Sequence, residues 1–286
     1  GIGLAVCLSV VRAIPSDLFT GKKLAKFNSV ISAGIAAPLL FAPLIGGVIS
    51  EYTSWRYIFS FLLCYTLTVL VLFQAKIPET NLNLNKNSFK NSLVNYKNLI
   101  IDKRFMAPTI CYFLTNGGIM AYVTTSPFLL QESCGLTPKE FGLWWMFMTL
   151  SGLFSSSFNH YLINFVSFFQ SMVISSSIIM ISGIILIVTS LIGLINPYTI
   201  VIPTIIYLLG MLITHINSYS IMIEPFKKQI GSCSSLYGAF GSFGAATGAY
   251  LVSLLPDHNQ LPIGVIFISI GILCLITTLG FVNRKI

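Results

Sequence analysis

Residues 34–47 read Gly-Ile-Ala-Ala-Pro-Leu-Leu-Phe-Ala-Pro-Leu-Ile-Gly-Gly, an apolar run that contains two prolines and several small side chains. The small or compact residues recur every four positions, at Gly34, Pro38, Ala42 and Gly46. Such a row predicts a smooth ridge on one face of a helix, along which a second helix can approach closely. Each proline also removes a backbone donor and favours a bend. The run therefore predicts a bent, closely packed membrane helix.

The composition of the whole chain agrees with this prediction. Hydrophobic residues make up 55% of the 286 positions and charged residues only 8%, whereas a soluble domain carries about 25% charged residues. The apolar residues come in blocks of about 20, long enough for a helix to cross a hydrocarbon core of roughly 30 Å. Because lipid requires each spanning segment to satisfy its own backbone hydrogen bonds, the sequence predicts an all-α integral membrane protein.

Helix breakers and charges divide the chain into about nine predicted spans. They cover about 1–14, 27–50, 57–75, 105–130, 141–163, 168–194, 198–222, 230–254 and 262–282. The longest hydrophilic stretch is rich in Asn and Lys and has apolar residues at helical spacing, which predicts an amphipathic helix along the inner leaflet. We therefore expect residues 1–75 to form three helices of one bundle, 76–104 a cytoplasmic linker, and 105–286 a six-helix bundle.

The distribution of basic residues predicts the orientation in the membrane. When the loop that contains Lys22, Lys23 and Lys26 is placed in the cytoplasm, alternation of the spans brings every other Lys and Arg inside except Arg56 and Lys139. The 8 acidic residues divide evenly between the two sides. Basic residues segregate in this way in inner-membrane proteins, whereas acidic ones do not. The C-terminus is thus expected in the cytoplasm, and the net charge of +8 indicates no nucleic-acid partner.

The chain lacks the residue clusters that most enzymes and metal sites need. Its 6 cysteines show no CxxC or Cys/His spacing, so neither a disulfide framework nor a metal site is predicted. Its 3 histidines are scattered and are not accompanied by grouped carboxylates. A membrane-embedded enzyme would require such a group near one face. The sequence therefore favours a protein that is not an enzyme.

Several short motifs, in a fixed order, carry a resemblance to a known family. The run at 34–47 resembles the antiporter motif of drug:proton exchangers of the major facilitator superfamily. It is closest to the motif of the Bcr/CflA subfamily (bicyclomycin and chloramphenicol resistance). The motif positions are Gly34, Pro38, Ala42, Pro43, Gly46 and Gly47. The other matching segments are 11–21, 55–59, 78–80, 102–105, 126–142 and 224–235. Their order and spacing together make the resemblance specific.

The resemblance implies a fold and a function. The predicted spans correspond to helices four to twelve of a twelve-helix major facilitator fold, and Gly1-Ile2-Gly3 resembles the tail of the subfamily's R-x-x-Q-G-x-G motif. On that alignment the chain is expected to lack about three N-terminal helices, including the acidic residue associated with proton coupling. The implied function is export of drugs or other small amphipathic compounds in exchange for protons, by alternating access between two bundles, with no cofactor beyond the proton gradient.

Two alternatives remain open at this stage. One is export of a metabolite or siderophore by the same fold, and the other is a non-transporting fragment of such a protein. The partners implied by the resemblance are a small-molecule substrate, protons and the lipid bilayer, and the full-length protein is expected to be a monomer.

Candidate site residues fall into three groups. His215 lies deep in a predicted span, where it suits either proton relay or a neutral histidine hydrogen-bonded to Asn217 or to a neighbouring helix. Arg12 and Asp17 are expected to form an inner-end charge pair with a structural role. A substrate cavity is predicted from aromatic and polar residues of two spans together with His215 and Asn217. These are Asn116, Tyr122 and Thr125 in one span and Tyr237 and Phe240 in another.

A second row of small residues predicts another close helix contact. Glycines recur at Gly238, Gly241, Gly244 and Gly248. The last two have the spacing of a membrane dimer motif. By the pseudo-symmetry of the family, the expected partner of this face is the second helix of the fold, upstream of Gly1.

Overall fold

The computed structural model describes Gly34, Pro38 and residues 41–76, 96–255 and 259–282, most of which are helical. The predicted span 1–14 and most of the linker 76–104 lie outside the described residues.

The described residues form nine helices in chain order. They are α1 (41–52), α2 (Trp55–Lys76), α3 (96–101), α4 (Lys103–Pro127), α5 (Pro138–Leu162), α6 (Phe168–Leu191), α7 (Pro197–Ile223), α8 (Ile230–Ser253) and α9 (Leu261–Val282). A π-helical turn, Phe128–Ser133, extends α4, and a 3-10 turn, Glu224–Gln229, joins α7 to α8. Helices α2 and α4 to α9 coincide with predicted spans to within a few residues, and α1 covers the second half of 27–50. The all-α fold is therefore confirmed.

The long helices are of two kinds. Four segments combine the length and the apolar composition of a membrane span: Trp55–Ala75, Phe168–Leu191, Pro197–Phe226 and Leu261–Gly280. Helices α4, α5 and α8 are as long, but glycine, serine and threonine replace many of their large apolar residues. Small residues permit close helix packing, so these three helices are suited to contacts inside the protein more than to contact with lipid.

The chain divides into two compact units. The first consists of the described part of 1–87 together with residues 137–146, and the second of the described part of 88–136 and 147–286. In the second unit α4 packs against α7, α8 and α9, while α6 packs against α7 and α9. The division into 1–75, 76–104 and 105–286 stays a prediction, because residues 77–95 are not described.

Local sequence signals explain where the helices begin and end. Ser167 and Asn196 each accept a hydrogen bond from the backbone three residues ahead, in capping boxes that start α6 and α7. Asp102 accepts from the Arg104 backbone N–H at the start of α4. Gly193 follows the end of α6 with a φ of 72°, a left-handed conformation that glycine adopts without strain. These signals place the ends of the helices that carry the candidate site.

Asp102 is expected to stabilise the start of α4 in a pH-dependent way. The Arg104 guanidinium, at 2.8 Å, holds the pKa of this carboxyl below its usual range. A lowered pKa contributes stability above the ordinary aspartate pKa of about 3.9, and the contribution is lost as the pH falls through the lowered value. We expect Asp102→Ala to cost about 1 kcal/mol near neutral pH. Asp102→Asn is the matched control, because asparagine caps equally well but does not titrate. Unfolding curves in detergent measure the loss of stability at neutral and at acid pH. A loss for Asp102→Ala that is the same at both pH values would contradict the prediction.

The second glycine row is a packing face, but its partner differs from the expected one. A Cβ at Gly244 would meet the Phe113 carbonyl oxygen, and a Cβ at Gly248 would meet the Gly117 carbonyl oxygen. Both acceptors belong to α4, so the expectation of an upstream partner helix is wrong for these residues. Gly238 has no atom within 4 Å of a built Cβ. The α4–α8 contact therefore depends on backbone approaching backbone.

Candidate functional site

Five side chains with aromatic or amide groups meet where α4, α7 and α8 pack together. Tyr112 and Asn116 lie one turn apart on α4, His215 and Tyr219 one turn apart on α7, and Tyr237 comes from α8. Residues four apart share a helix face, so each pair points in one direction. We call these five residues the aromatic–amide cluster.

Ring contacts hold the cluster together. Tyr112 and Tyr237 stack with centroids 4.0 Å apart and an interplanar angle of 16°. Tyr219 meets Tyr237 edge-on at 5.6 Å, and the His215 ring lies 4.5 Å from Tyr112. A built Cβ at Gly241 would collide with the Tyr112 ring, so this glycine provides the space for the stack. Offset and edge-on pairs are the favoured arrangements of aromatic rings.

Hydrogen bonds connect the polar atoms of the cluster to neighbouring helices. His215 Nε2 lies 3.1 Å from Thr115 Oγ1 and 3.3 Å from Asn116 Nδ2. The Tyr237 hydroxyl lies 2.6 Å from Ser218 Oγ, and the Tyr219 hydroxyl lies 2.9 Å from Ser234 Oγ. Each of these contacts joins two different helices, which fixes the side chains relative to one another.

The cluster extends from the core of the second unit to its surface. Tyr237 is 6% exposed and Tyr219 is 38% exposed, while Tyr112, Asn116 and His215 are half-buried. Helices α7 and α8 contain no Asp, Glu, Lys or Arg. The accessible surface thus consists of ring faces, one amide and one imidazole. Such a surface can bind a flat apolar compound, and its ring faces also attract organic cations.

The remaining predicted cavity residues lie elsewhere. Tyr122 is fully buried and donates to Met148 Sδ, and the Thr125 hydroxyl donates to the Ala121 carbonyl. Phe240, one turn beyond Tyr237, is half-buried. The structure thus brings together three of the predicted cavity residues: Asn116, His215 and Tyr237. The roles of all of them stay predictions.

Asn217 belongs to a separate buried contact. Its amide nitrogen donates to Asn159 Oδ1 at 2.9 Å and to Ser171 Oγ at 2.7 Å. The three residues are 0–2% exposed and join α7 to α5 and α6. The partners of His215 are therefore on α4, and the Asn217 amide is committed to a different helix interface.

The antiporter-motif residues that the structure describes lie in the first unit. A built Cβ at Gly47 would collide with the Pro138 carbonyl oxygen, and one at Gly142 would lie 2.7 Å from the Pro43 carbonyl oxygen. Gly34 and Gly46 have no atom within 4 Å of a built Cβ. The residues of α1 that approach the start of α5 are thus Pro43 and Gly47. Each of them follows by one position a residue of the predicted ridge, Ala42 or Gly46.

An acidic side chain also joins these two helices. Glu51 Oε2 accepts a hydrogen bond of 3.2 Å from the Lys139 backbone N–H in the first turn of α5. Helix N-termini favour negative charge. The charge pair predicted between Arg12 and Asp17 lies outside the described residues.

Several members of the site are not among the residues predicted from the sequence. Tyr112 precedes Asn116 by four residues, and Tyr219 follows His215 by four, so helical spacing alone carried a signal for both. Thr115, Ser218 and Ser234 carried no such signal, because hydroxyl residues are frequent throughout these helices. Among the described residues, no three His, Cys, Asp or Glu side chains come together as a potential metal site.

Comparison with known protein families identifies a family that the chain matches over most of its length. A family model described as Major Facilitator Superfamily matches residues 1–249. The chain is 24% identical to multidrug resistance protein D of Escherichia coli over 99% of its own length and 71% of that relative. It is 27% identical to a bicyclomycin resistance protein homolog of Haemophilus influenzae, over 64% of this chain and 46% of that relative. These relatives agree with the Bcr/CflA-type resemblance of the motifs.

Two further similarities concern length and fold. The chain is 31% identical to an uncharacterized MFS-type transporter, YdgK of Bacillus subtilis, over 50% of this chain and 37% of that relative. The chain thus matches between about a third and 71% of the length of these relatives. The crystal structure of a bacterial homologue of the iron transporter ferroportin, in an inward-facing state, superposes with a TM-score of 0.66 at 15% identity. The superposition covers 93% of this chain and 65% of the ferroportin homologue, and it shows that the two share a fold.

Proposed function

This chain belongs to the Major Facilitator Superfamily, and we propose that it exports drugs or other small amphipathic compounds across the bacterial inner membrane in exchange for protons. Its family consists of transporters, so the chain is a multi-pass membrane protein and not an enzyme. The proposal adds the class of substrate, the direction of transport and the coupling ion. It also includes the predicted cytoplasmic C-terminus and the use of the proton gradient without a bound cofactor.

The aromatic–amide cluster is the observation that carries the proposal. It offers stacked tyrosine rings and neutral hydrogen-bonding groups without a fixed charge on α7 or α8. A site built for a sugar phosphate or an amino acid would need charged partners for the ionic groups of its ligand. Ring faces with a few polar groups suit flat amphipathic compounds, whether neutral or cationic.

Two further observations support the same substrate class. Relatives of the chain are named for multidrug resistance and for bicyclomycin resistance. The close contact of Pro43 and Gly47 with the start of α5 is also suited to a transporter, because a smooth helix surface can slide or separate without breaking interlocked side chains. We propose that this contact forms and opens during the transport cycle.

The test is expression of the protein in an efflux-deficient bacterial host. We expect lower susceptibility to at least some amphipathic antibiotics, and efflux of a fluorescent amphipathic dye that stops when an uncoupler collapses the proton gradient. The negative control is Gly47→Leu, which we expect to be inactive. The close packing of α1 against α5 leaves no space for a side chain at position 47. Unchanged susceptibility together with unchanged dye accumulation would refute drug export. Efflux that survives the uncoupler would refute proton exchange.

A further inference from the structure

Among the described residues of α4 and α6 to α9, His215 has no carboxylate or cationic side chain beside it, and α5, which meets α7 through Asn159 and Asn217, carries His160 as an exposed side chain. Helices α6 to α9 contain no Asp, Glu, Lys or Arg. The charged residues of α4 are Lys103 and Arg104, at its first two positions. Arg104 precedes Thr115 by eleven residues, which is about 16 Å along an α-helix. The titratable side chain that the structure records in contact with the His215 ring is Tyr112, and Tyr237 and Tyr219 follow it within the aromatic–amide cluster.

The contact with Asn116 defines one protonation state of the imidazole. Asn116 Nδ2 donates to the Tyr112 carbonyl oxygen at 2.8 Å. A carbonyl only accepts, so this bond fixes which end of the amide is the nitrogen. The same Nδ2 lies 3.3 Å from His215 Nε2, to which it can donate its second hydrogen. Nε2 must therefore present a lone pair to Asn116, and the neutral ring carries its hydrogen on Nδ1.

The contact with Thr115 suits the opposite state. Thr115 Oγ1 lies 2.8 Å from the Cys111 carbonyl oxygen, to which it donates its single hydrogen. The lone pairs of that hydroxyl remain, and they lie 3.1 Å from His215 Nε2. A protonated Nε2–H can donate to Thr115 without any change in the backbone. One nitrogen atom thus has a donor that matches its neutral form and an acceptor that matches its protonated form.

We propose that His215 Nε2 is a proton-binding site in which Asn116 stabilises the neutral imidazole and Thr115 the imidazolium. This inference rests on the proposed exchange of substrate for protons. A proton from water adds to the Nε2 lone pair, and the ring becomes singly positive. The bond from Asn116 breaks, and a bond from Nε2–H to Thr115 Oγ1 forms. No other bond changes, and the proton returns to water when the ring is neutralised.

The position of the site links the proton to the substrate. The imidazole ring lies 4.5 Å from Tyr112, which stacks on Tyr237. A positive ring at that place interacts with the same tyrosine face that a cationic or aromatic compound would use. Release of Asn116 also leaves one hydrogen of its amide unbonded, and that amide is a polar group of the cluster. Proton and substrate therefore compete for one surface, as exchange requires.

The structural test is nitrogen NMR of histidine-labelled protein in nanodiscs. The chain has only 3 histidines, so His160→Asn and His258→Asn identify the His215 signals. At high pH we expect a hydrogen on Nδ1 and none on Nε2. At one mildly acidic pH we expect Asn116→Asp to raise the ratio of charged to neutral imidazole about tenfold, and Thr115→Val to lower it. Thr124→Val is the matched control, because Thr124 bonds only the Met120 carbonyl on the same helix.

Two readouts separate this inference from the proposed function. A hydrogen on Nε2 at high pH, or a ratio that neither variant changes, would overturn the assignment of His215. Dye efflux driven by a proton gradient is then measured for the same variants. Normal coupled efflux by His215→Gln would overturn its role in exchange. An absence of efflux in the unmodified protein, with the expected NMR signals, would instead refute the proposed transport and leave His215 as a proton site.

Discussion

Gly248→Val is expected to abolish the packing of α8 on α4 and to yield little folded protein. The atom that a Cβ at this position would meet is the Gly117 carbonyl oxygen, and a backbone atom cannot move aside as a flexible side chain can. A Cβ at Gly244, one turn earlier, would meet the Phe113 carbonyl oxygen in the same way. The two helices would have to separate along this whole line, at a cost of about 3 kcal/mol. The measurement is the thermal unfolding midpoint of the purified protein in detergent.

The same helix provides the control for this experiment. Gly238→Val introduces an identical side chain where no atom lies within 4 Å of the built Cβ. Both substitutions change the helix propensity equally, so the difference between them isolates the contact with α4. Similar unfolding midpoints and similar yields for the two variants would show that α8 does not pack against α4 in this way.

Tyr237→Leu is expected to lower drug resistance and dye efflux about tenfold, equivalent to about 1.4 kcal/mol of binding free energy. The substitution removes the ring that stacks on Tyr112 at 4.0 Å and contacts Tyr219, and it keeps an apolar side chain in the core. Tyr237→Phe retains the rings and loses only the bond to Ser218, so we expect a smaller effect. Minimum inhibitory concentrations and initial rates of dye efflux measure both changes.

A second tyrosine of α8 serves as the control for lost aromatic character. Tyr250 is 64% exposed, and Tyr250→Leu should leave efflux unchanged when the two variants are expressed at equal levels. Equal losses for Tyr237→Leu and Tyr250→Leu would mean that the aromatic–amide cluster does not contact the substrate. Equal losses for Tyr237→Leu and Tyr237→Phe would assign the role to the hydroxyl instead of the ring.

The sequence predicted the helices well because membrane insertion constrains them strongly. A span must be about 20 residues long, so polar interruptions such as 131–140 and 195–197 mark helix ends without reference to the fold. Partner choice is different. The row of Gly241, Gly244 and Gly248 indicated a close contact, but a row of small residues does not specify which helix lies against it. The structure selects α4, whose Gly117 provides the complementary gap.

The site shows the same limit at the level of single side chains. His215 and Asn217 were grouped because they are neighbours in the chain, yet two residues correspond to about 200° around a helix. His215 consequently meets Thr115 and Asn116 on α4, while Asn217 meets Asn159 and Ser171 on the other side. Asn116, His215 and Tyr237 were predicted to line a cavity, and that role stays a prediction; their proximity depends on how α4, α7 and α8 cross. That crossing is not encoded in any one of the three segments.

For the proposed drug export, the contact of Gly241 with Tyr112 has a consequence for how the range of substrates can evolve. Tyr112 can stack on Tyr237 only while position 241 has no side chain, and the neighbouring glycines fix the distance between the two helices. We therefore expect mutations that alter this framework to lower the yield of folded protein. The half-buried side chain of Phe240 lies outside that framework. On the proposed function, we expect variants with an altered drug spectrum to differ at Phe240 while the glycine row is retained.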